Sequence, residues 1–145
     1  MRAPRRRLAG MPRDEDGSIL LLTIGYALLA LAAILVCVSA TSLYLEQKRL
    51  DGLADAASLA GADGFTLTLD AGPVRAELRD GAVHEQAQAL VDEVGADAAL
   101  VWAGTPDGVS ARVTLRTQWH PPLFSLFVPD GVTLESTATS RTALR

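Results

Sequence analysis

Residues 18–45, SILLLTIGYALLALAAILVCVSATSLYL, hold no charged side chain. A helix of this length reaches roughly 42 Å, against a hydrocarbon core about 30 Å thick, so it can cross a bilayer with tilt or with a turn to spare. In water the same run would leave an apolar helix without a partner. It therefore predicts a transmembrane helix over 18–45 whose first partner is the lipid bilayer. The rest of the chain must be arranged around that helix.

The flanks give an orientation. Arg2, Arg5, Arg6, Arg7 and Arg13 precede the run, whereas only Lys48 and Arg49 follow it closely. Basic flanks of a single span normally stay in the cytoplasm. Residues 1–17 then form a basic cytoplasmic leader, and the chain from Glu46 onward lies outside the cell membrane. That outer part carries eight basic and fourteen acidic residues, an acidic excess of six. Such a balance gives no footprint for nucleic acid.

Two other uses of the run compete with a span. A removable secretory signal has a shorter apolar stretch ending in small residues, and Val38-Ser39-Ala40 has the required pattern. The run, however, continues past Ala40 into Leu43, Tyr44 and Leu45. A lipid-modified terminus at Cys37 would need a preceding Gly or Ala, where the chain has Leu35 and Val36; Cys37 reads instead as a small apolar packing residue. With one cysteine the outer domain has no internal disulfide and must stand on its own core.

The helix continues beyond the run as 46–64. Leu43, Leu50 and Ala57 are seven apart, and a second row of the same spacing opens at Glu46 and runs through Leu53 and Ala60. Asp51, Asp55 and Asp63 lie off this stripe, Gly52 lowers helix propensity by about 1 kcal/mol relative to Ala and invites a small bend, and Gly61 and Gly64 suit a C-terminal stop. The face of Leu50, Leu53, Ala57 and Ala60 has two uses open to it. It can pack on the chain's own sheet, or it can serve helix-to-helix assembly, since small residues let backbones approach closely.

After Gly64 the period changes from helical to alternating, and 65–145 reads as an extracytoplasmic α+β domain. Phe65, Leu67 and Leu69 alternate with polar residues, Ala71-Gly72-Pro73 turns, and Val74, Ala76 and Leu78 alternate again. A helix follows with Val83, Ala87, Leu90, Val91 and Val94 on one face, ended by Gly95. The last third is an antiparallel meander. It comprises a strand over 98–103, a Thr105-Pro106-Asp107-Gly108 turn, an alternating strand over 109–119 with Val109, Ala111, Val113, Leu115, Thr117 and Trp119 inward, and a final strand from Val132. The expected fold class is thus α+β, with a long N-terminal helix packed on a small antiparallel sheet with one further helix.

Little in the chain points to catalysis. His84 and His120 fall on a helix surface and at a strand end, without a second ligand at metal-binding spacing. There is no phosphate-cradling loop, no nucleophile paired with a base, and nothing that calls for a cofactor. One segment is out of place as a connection: Leu123, Phe124, Leu126 and Phe127 stand between prolines, where polar residues are expected. They either fold over the sheet edge or form a patch for a partner or for the membrane surface.

The run DEDGSILLLTIGYALLALAAILVCVSATSLYLEQKRLDGLADAASLAGADG closely resembles the N-terminal region of the TadE/TadG-like proteins of tight-adherence (Flp-type) pilus loci, in the form found in actinobacteria. The resemblance rests on a charged leader ending in Gly17, an apolar helix entered by a small residue, and the Asp55–Asp63 run DAASLAGAD. It implies a pilin-like fold and a structural or assembly role in a pilus or related secretion system. It further implies other pilus or secretion-system membrane proteins as partners, with homo- or hetero-oligomers formed through the N-terminal helix. It also implies a leader-peptidase junction between Gly17 and Ser18. One departure stands out: processed pilins usually carry Glu at the fifth mature position, which is Leu22 here. A membrane-tethered binding or adhesion domain unrelated to pili accounts for the same composition without the resemblance.

Overall fold

The computed structural model describes residues 15–68, 75–94, 97–122 and 129–141. The chain divides into two units, Met1–Cys37 and Val38–Arg145. This division falls inside the uncharged run and not at its end.

Helix α1 spans Glu15–Asp63. Its first part is built of Leu, Ala and Ile without a proline, and Thr23 Oγ1 donates to Ile19 O at 2.8 Å. That bond satisfies the hydroxyl within the helix. α1 passes through Gly52 as one element, and its last turn tightens where Gly64 N donates to Gly61 O at 3.2 Å.

In the second unit, β1 (Thr66–Thr68) pairs antiparallel with β2 (Arg75–Glu77) as a separate two-stranded sheet. Helix α2 (Asp80–Val94) follows, opened by the Val83 N to Arg79 O bond and carrying Asp80 in its first turn, where the helix dipole favours an anion. The meander β3 (Ala98–Gly104), β4 (Ser110–Trp119) and β5 (Val132–Arg141) forms a three-stranded antiparallel sheet in that order. The fold is α+β, as the sequence predicts. The Ala71–Pro73 turn and Gly95 lie outside the described residues.

Two local features fix the meander. Asp107 Oδ1 accepts from the backbone N–H of Val109 (3.0 Å) and Ser110 (2.6 Å), its Oδ2 accepts from Ser110 Oγ at 2.9 Å, and Gly108 takes φ +74°. These bonds hold the Asp107 carboxyl below its ordinary range. A bulge between Leu100 and Trp102 shifts the register of β3 against β4. One extra residue reverses the alternation, so half-buried Leu100 and buried Ala103, three apart, both face the core.

The most enclosed part of the core sets small residues around three larger ones. Leu115, Val83 and Val113 are fully enclosed, with Ala54, Ala57, Ala87 and Ala111 among them. α1 contributes Leu50, Ala54, Ala57, Ser58 and Ala62. A Cβ on Gly61 would come within 2.9 Å of Val83 Cγ1, so glycine is what lets α1 approach α2 this closely. Val94 and Val109, both expected inward, are exposed, as is Val132. Each sits at or just beyond the end of its element, past the reach of the core.

Candidate functional site

Helix α1 changes character along its length. From Ser18 to Cys37 nearly every large side chain is exposed, including Leu20, Leu21, Leu22, Tyr26, Leu28 and Leu29. Among the described residues α1 is the one helix long and apolar enough to cross a membrane. A dent at Gly25, edged by Ser18, Leu21, Leu22, Tyr26 and Leu29, is the side of a single helix, open for a lipid chain or a neighbouring helix and unsuited to enclosing a small molecule. Cys37 is a free, exposed thiol within this surface.

Residues after Leu45 are wired differently. Asp51 accepts from Gln47 Nε2 (2.9 Å), Lys48 Nζ (2.9 Å) and, across to β5, Ser136 Oγ (2.8 Å). Gln47 Nε2 also donates to Glu135 O at 3.4 Å. Hydrogen bonds from Lys48, Gln47 and Ser136, in that order of importance, lower the Asp51 carboxyl to about 2. Lys48 is correspondingly raised by its bond to Asp51, and its ammonium lies 5.9 Å from the Tyr44 ring centroid. Higher up the chain's contacts, Trp119 Nε1 donates to Ser42 Oγ at 3.1 Å, joining the end of β4 to α1 inside the uncharged run.

The residues singled out from sequence are placed as follows. Gly17 and Ser18 lie in the first turn of α1, with Ser18 exposed. Leu50 is 3% exposed and Ala57 0%, both in the chain's own core, while Leu53 and Ala60 are half-buried at its margin. Leu123, Phe124, Leu126 and Phe127 lie outside the described residues. His84 and His120 are exposed, and no group of three or more His, Cys, Asp or Glu converges among the described residues. A cleft of about 390 Å³ between α1 (Glu46, Arg49, Leu50, Leu53) and the Val94, Asp97, Ala98 and Thr117 region mixes both charge signs; its Thr117 hydroxyl is already donated to Asp97 O at 2.7 Å.

Comparison with known proteins places the helix. The family described as Tad, putative Flp pilus-assembly TadE/G-like, matches residues 17–64. Those residues are a TadE/G-like segment. Its limits nearly coincide with α1, so the TadE/G-like segment comprises both the exposed apolar surface and the small-residue face that packs in the core. No curated protein and no solved structure matches the chain. The TadE/G-like match supports a role in pilus assembly.

Asp51 and the Ser42–Trp119 pair escaped the sequence reading, which placed Asp51 simply off the apolar stripe. Half of the Asp51 arrangement has a local signal, because Gln47 and Lys48 stand four and three residues before it on one helix. The other half depends on Ser136, eighty-five residues away.

Proposed function

We propose that this chain is a structural, minor-pilin-like component, anchored in the cell membrane by one span, that acts in assembly of a tight-adherence Flp-type pilus or related secretion system. The observation that carries this reading is the coincidence of the TadE/G-like match with a helix whose first half exposes large apolar side chains. A surface of this kind is satisfied equally by lipid tails and by neighbouring apolar helices, so passage from one to the other need not be costly. The arginines before the span favour a cytoplasmic N-terminus and an extracytoplasmic α+β domain. In this reading 1–17 is the leader, 18–45 the span, 46–64 its outer continuation and 65–145 the domain. Other pilus membrane proteins, or further copies, pack on the span through its N-terminal helix surface.

Leu22 bears on how far the likeness to processed pilins extends. An acidic side chain at that position can pair with a new amino terminus inside an apolar assembly, where an unpaired charge is expensive. With Leu there, an uncleaved anchor suits the residues as well as a chain cut between Gly17 and Ser18. The role is structural, not enzymatic.

Deletion of the gene, scored by electron microscopy of surface fibres, tests the proposal. Fibres should be lost and should return with the intact gene, but not with a copy carrying Leu29→Asp and Ile34→Asp. Undiminished fibres in the deletion strain would overturn it. Intact-mass measurement of the membrane-extracted protein reads the processing: a start at Ser18 indicates leader cleavage, and a start at Thr41 indicates ordinary secretion and refutes a fixed span.

A further inference from the structure

The second unit begins at Val38, so it includes the last two turns of the uncharged run. Within it, the indole of Trp119 donates to Ser42, one turn inside the run's end. Trp119 is paired with Val132 at one end of the β4–β5 ladder, and Val132 is 41% exposed. Beside Ser42 on α1, Tyr44 is 60% exposed and Leu45 is also exposed. The first charges, Glu46, Lys48 and Arg49, follow within a turn; Arg49 Nη1 lies 3.3 Å from Glu46 Oε2, and Lys48 reaches over the Tyr44 ring. The opposite end of the β4 strand carries Ser110, next to the exposed Val109. Ten residues of strand separate the two ends by about 30 Å.

This is the order of groups found across a membrane surface: apolar helix, then Trp and Tyr with apolar bodies and polar tips, then charges. We propose that the sheet end formed by Trp119 and Val132 is seated in the headgroup layer of the bilayer, with Trp119 and Tyr44 as interfacial anchors. The occupant of this surface is phospholipid, because Ser42, Tyr44 and Leu45, which lie on the same unit as the sheet end, belong to the uncharged run. The inference rests on the reading of 18–45 as a span. It adds to that reading that the folded domain rides on the bilayer, with Ser42 marking the depth.

The seat is tested by spin labels placed one at a time on the full chain, in a Cys37→Ser background reconstituted into phosphatidylcholine and phosphatidylglycerol vesicles. Labels at Val132→Cys, Val109→Cys and Leu29→Cys occupy positions that are already exposed, so folding is little affected. Collision with lipid-soluble oxygen is compared with collision with a water-soluble nickel chelate. The oxygen-to-nickel ratio should be highest at 29, intermediate at 132, and several-fold lower at 109. A ratio at 132 equal to that at 109, with 29 still high, overturns the seat and leaves the span standing. A low ratio at 29 overturns the span and the seat together. Shielding of 132 from both reagents overturns the seat in favour of protein cover. Trp119 gives a label-free check: in Trp102→Phe protein its emission should be quenched by lipids brominated near the headgroup end of the acyl chain, and an unquenched signal overturns the proposal.

Discussion

The two halves of α1 use the same backbone for opposite purposes. Before Cys37 the helix turns Leu, Ile and Tyr outward, whereas from Leu50 to Ala62 it buries chiefly Ala and Ser and keeps its charges outside. In lipid, large apolar side chains gain nothing by leaving the solvent, so they need not face the protein. In water the same helix must hide its apolar face, and small residues allow a close, dense contact with α2 and the sheet. Size and direction of side chains together distinguish the two halves of one helix.

The largest expected effect comes from breaking the first half. Leu29→Asp with Ile34→Asp places two carboxylates at exposed positions of the run, each costing about 2.5–3.5 kcal/mol at the centre of a span. Carbonate extraction should release the double variant from membranes; retention would mean that the two halves share one environment. Next comes Leu115→Ala, in the core of the second unit. It should destabilise the domain by about 2–5 kcal/mol in urea unfolding followed by tryptophan emission. Leu29→Ala should leave that unfolding curve where it is.

A third contrast compares two glycines of the same helix. Gly61→Val forces atoms into Val83, and overpacking of this kind costs about 1–3 kcal/mol. Gly25→Ala meets nothing within 4 Å and should leave the urea midpoint unchanged. Equal effects at the two sites would remove the distinction between a packed and an open helix face.

The smallest effect is the pH dependence of the tie between α1 and β5. Asp51 is depressed from 3.8 to about 2 in the folded chain, so its contribution is fully present above the ordinary carboxylate range and fades as pH falls through about 2. Thermal midpoints should decline between pH 4 and about 2 less steeply in Asp51→Asn than in the native chain. Asp107 is shifted in the same direction, so some slope persists in the variant. Identical slopes would show that Asp51 adds nothing to the joint.

Much of the fold was legible because short-range periodicity encodes it. The helical stripe of Val83, Ala87 and Val91, the alternation of Ala111, Val113 and Leu115, and the Asp107-Gly108 turn all appear as read. The ends of elements were less legible: Val94, Val109 and Val132 continue the pattern of their neighbours but lie where the core has run out. The bulge in β3 was invisible, because one extra residue is defined only against the partner strand. As for the candidate site, the uncharged run was readable from local composition and the TadE/G-like segment from its resemblance to that family, whereas the groups joining that helix to the sheet were not.

By itself the sequence determined that residues 18–45 form an uncharged apolar run long enough to cross a bilayer, because hydropathy and the absence of charge are local properties. It also determined the α+β order of elements. Tertiary structure alone decided where the β3–β4–β5 sheet joins α1. Trp119 reaches Ser42 across seventy-seven residues and Ser136 reaches Asp51 across eighty-five, and only the folded meander brings those partners within hydrogen-bonding distance.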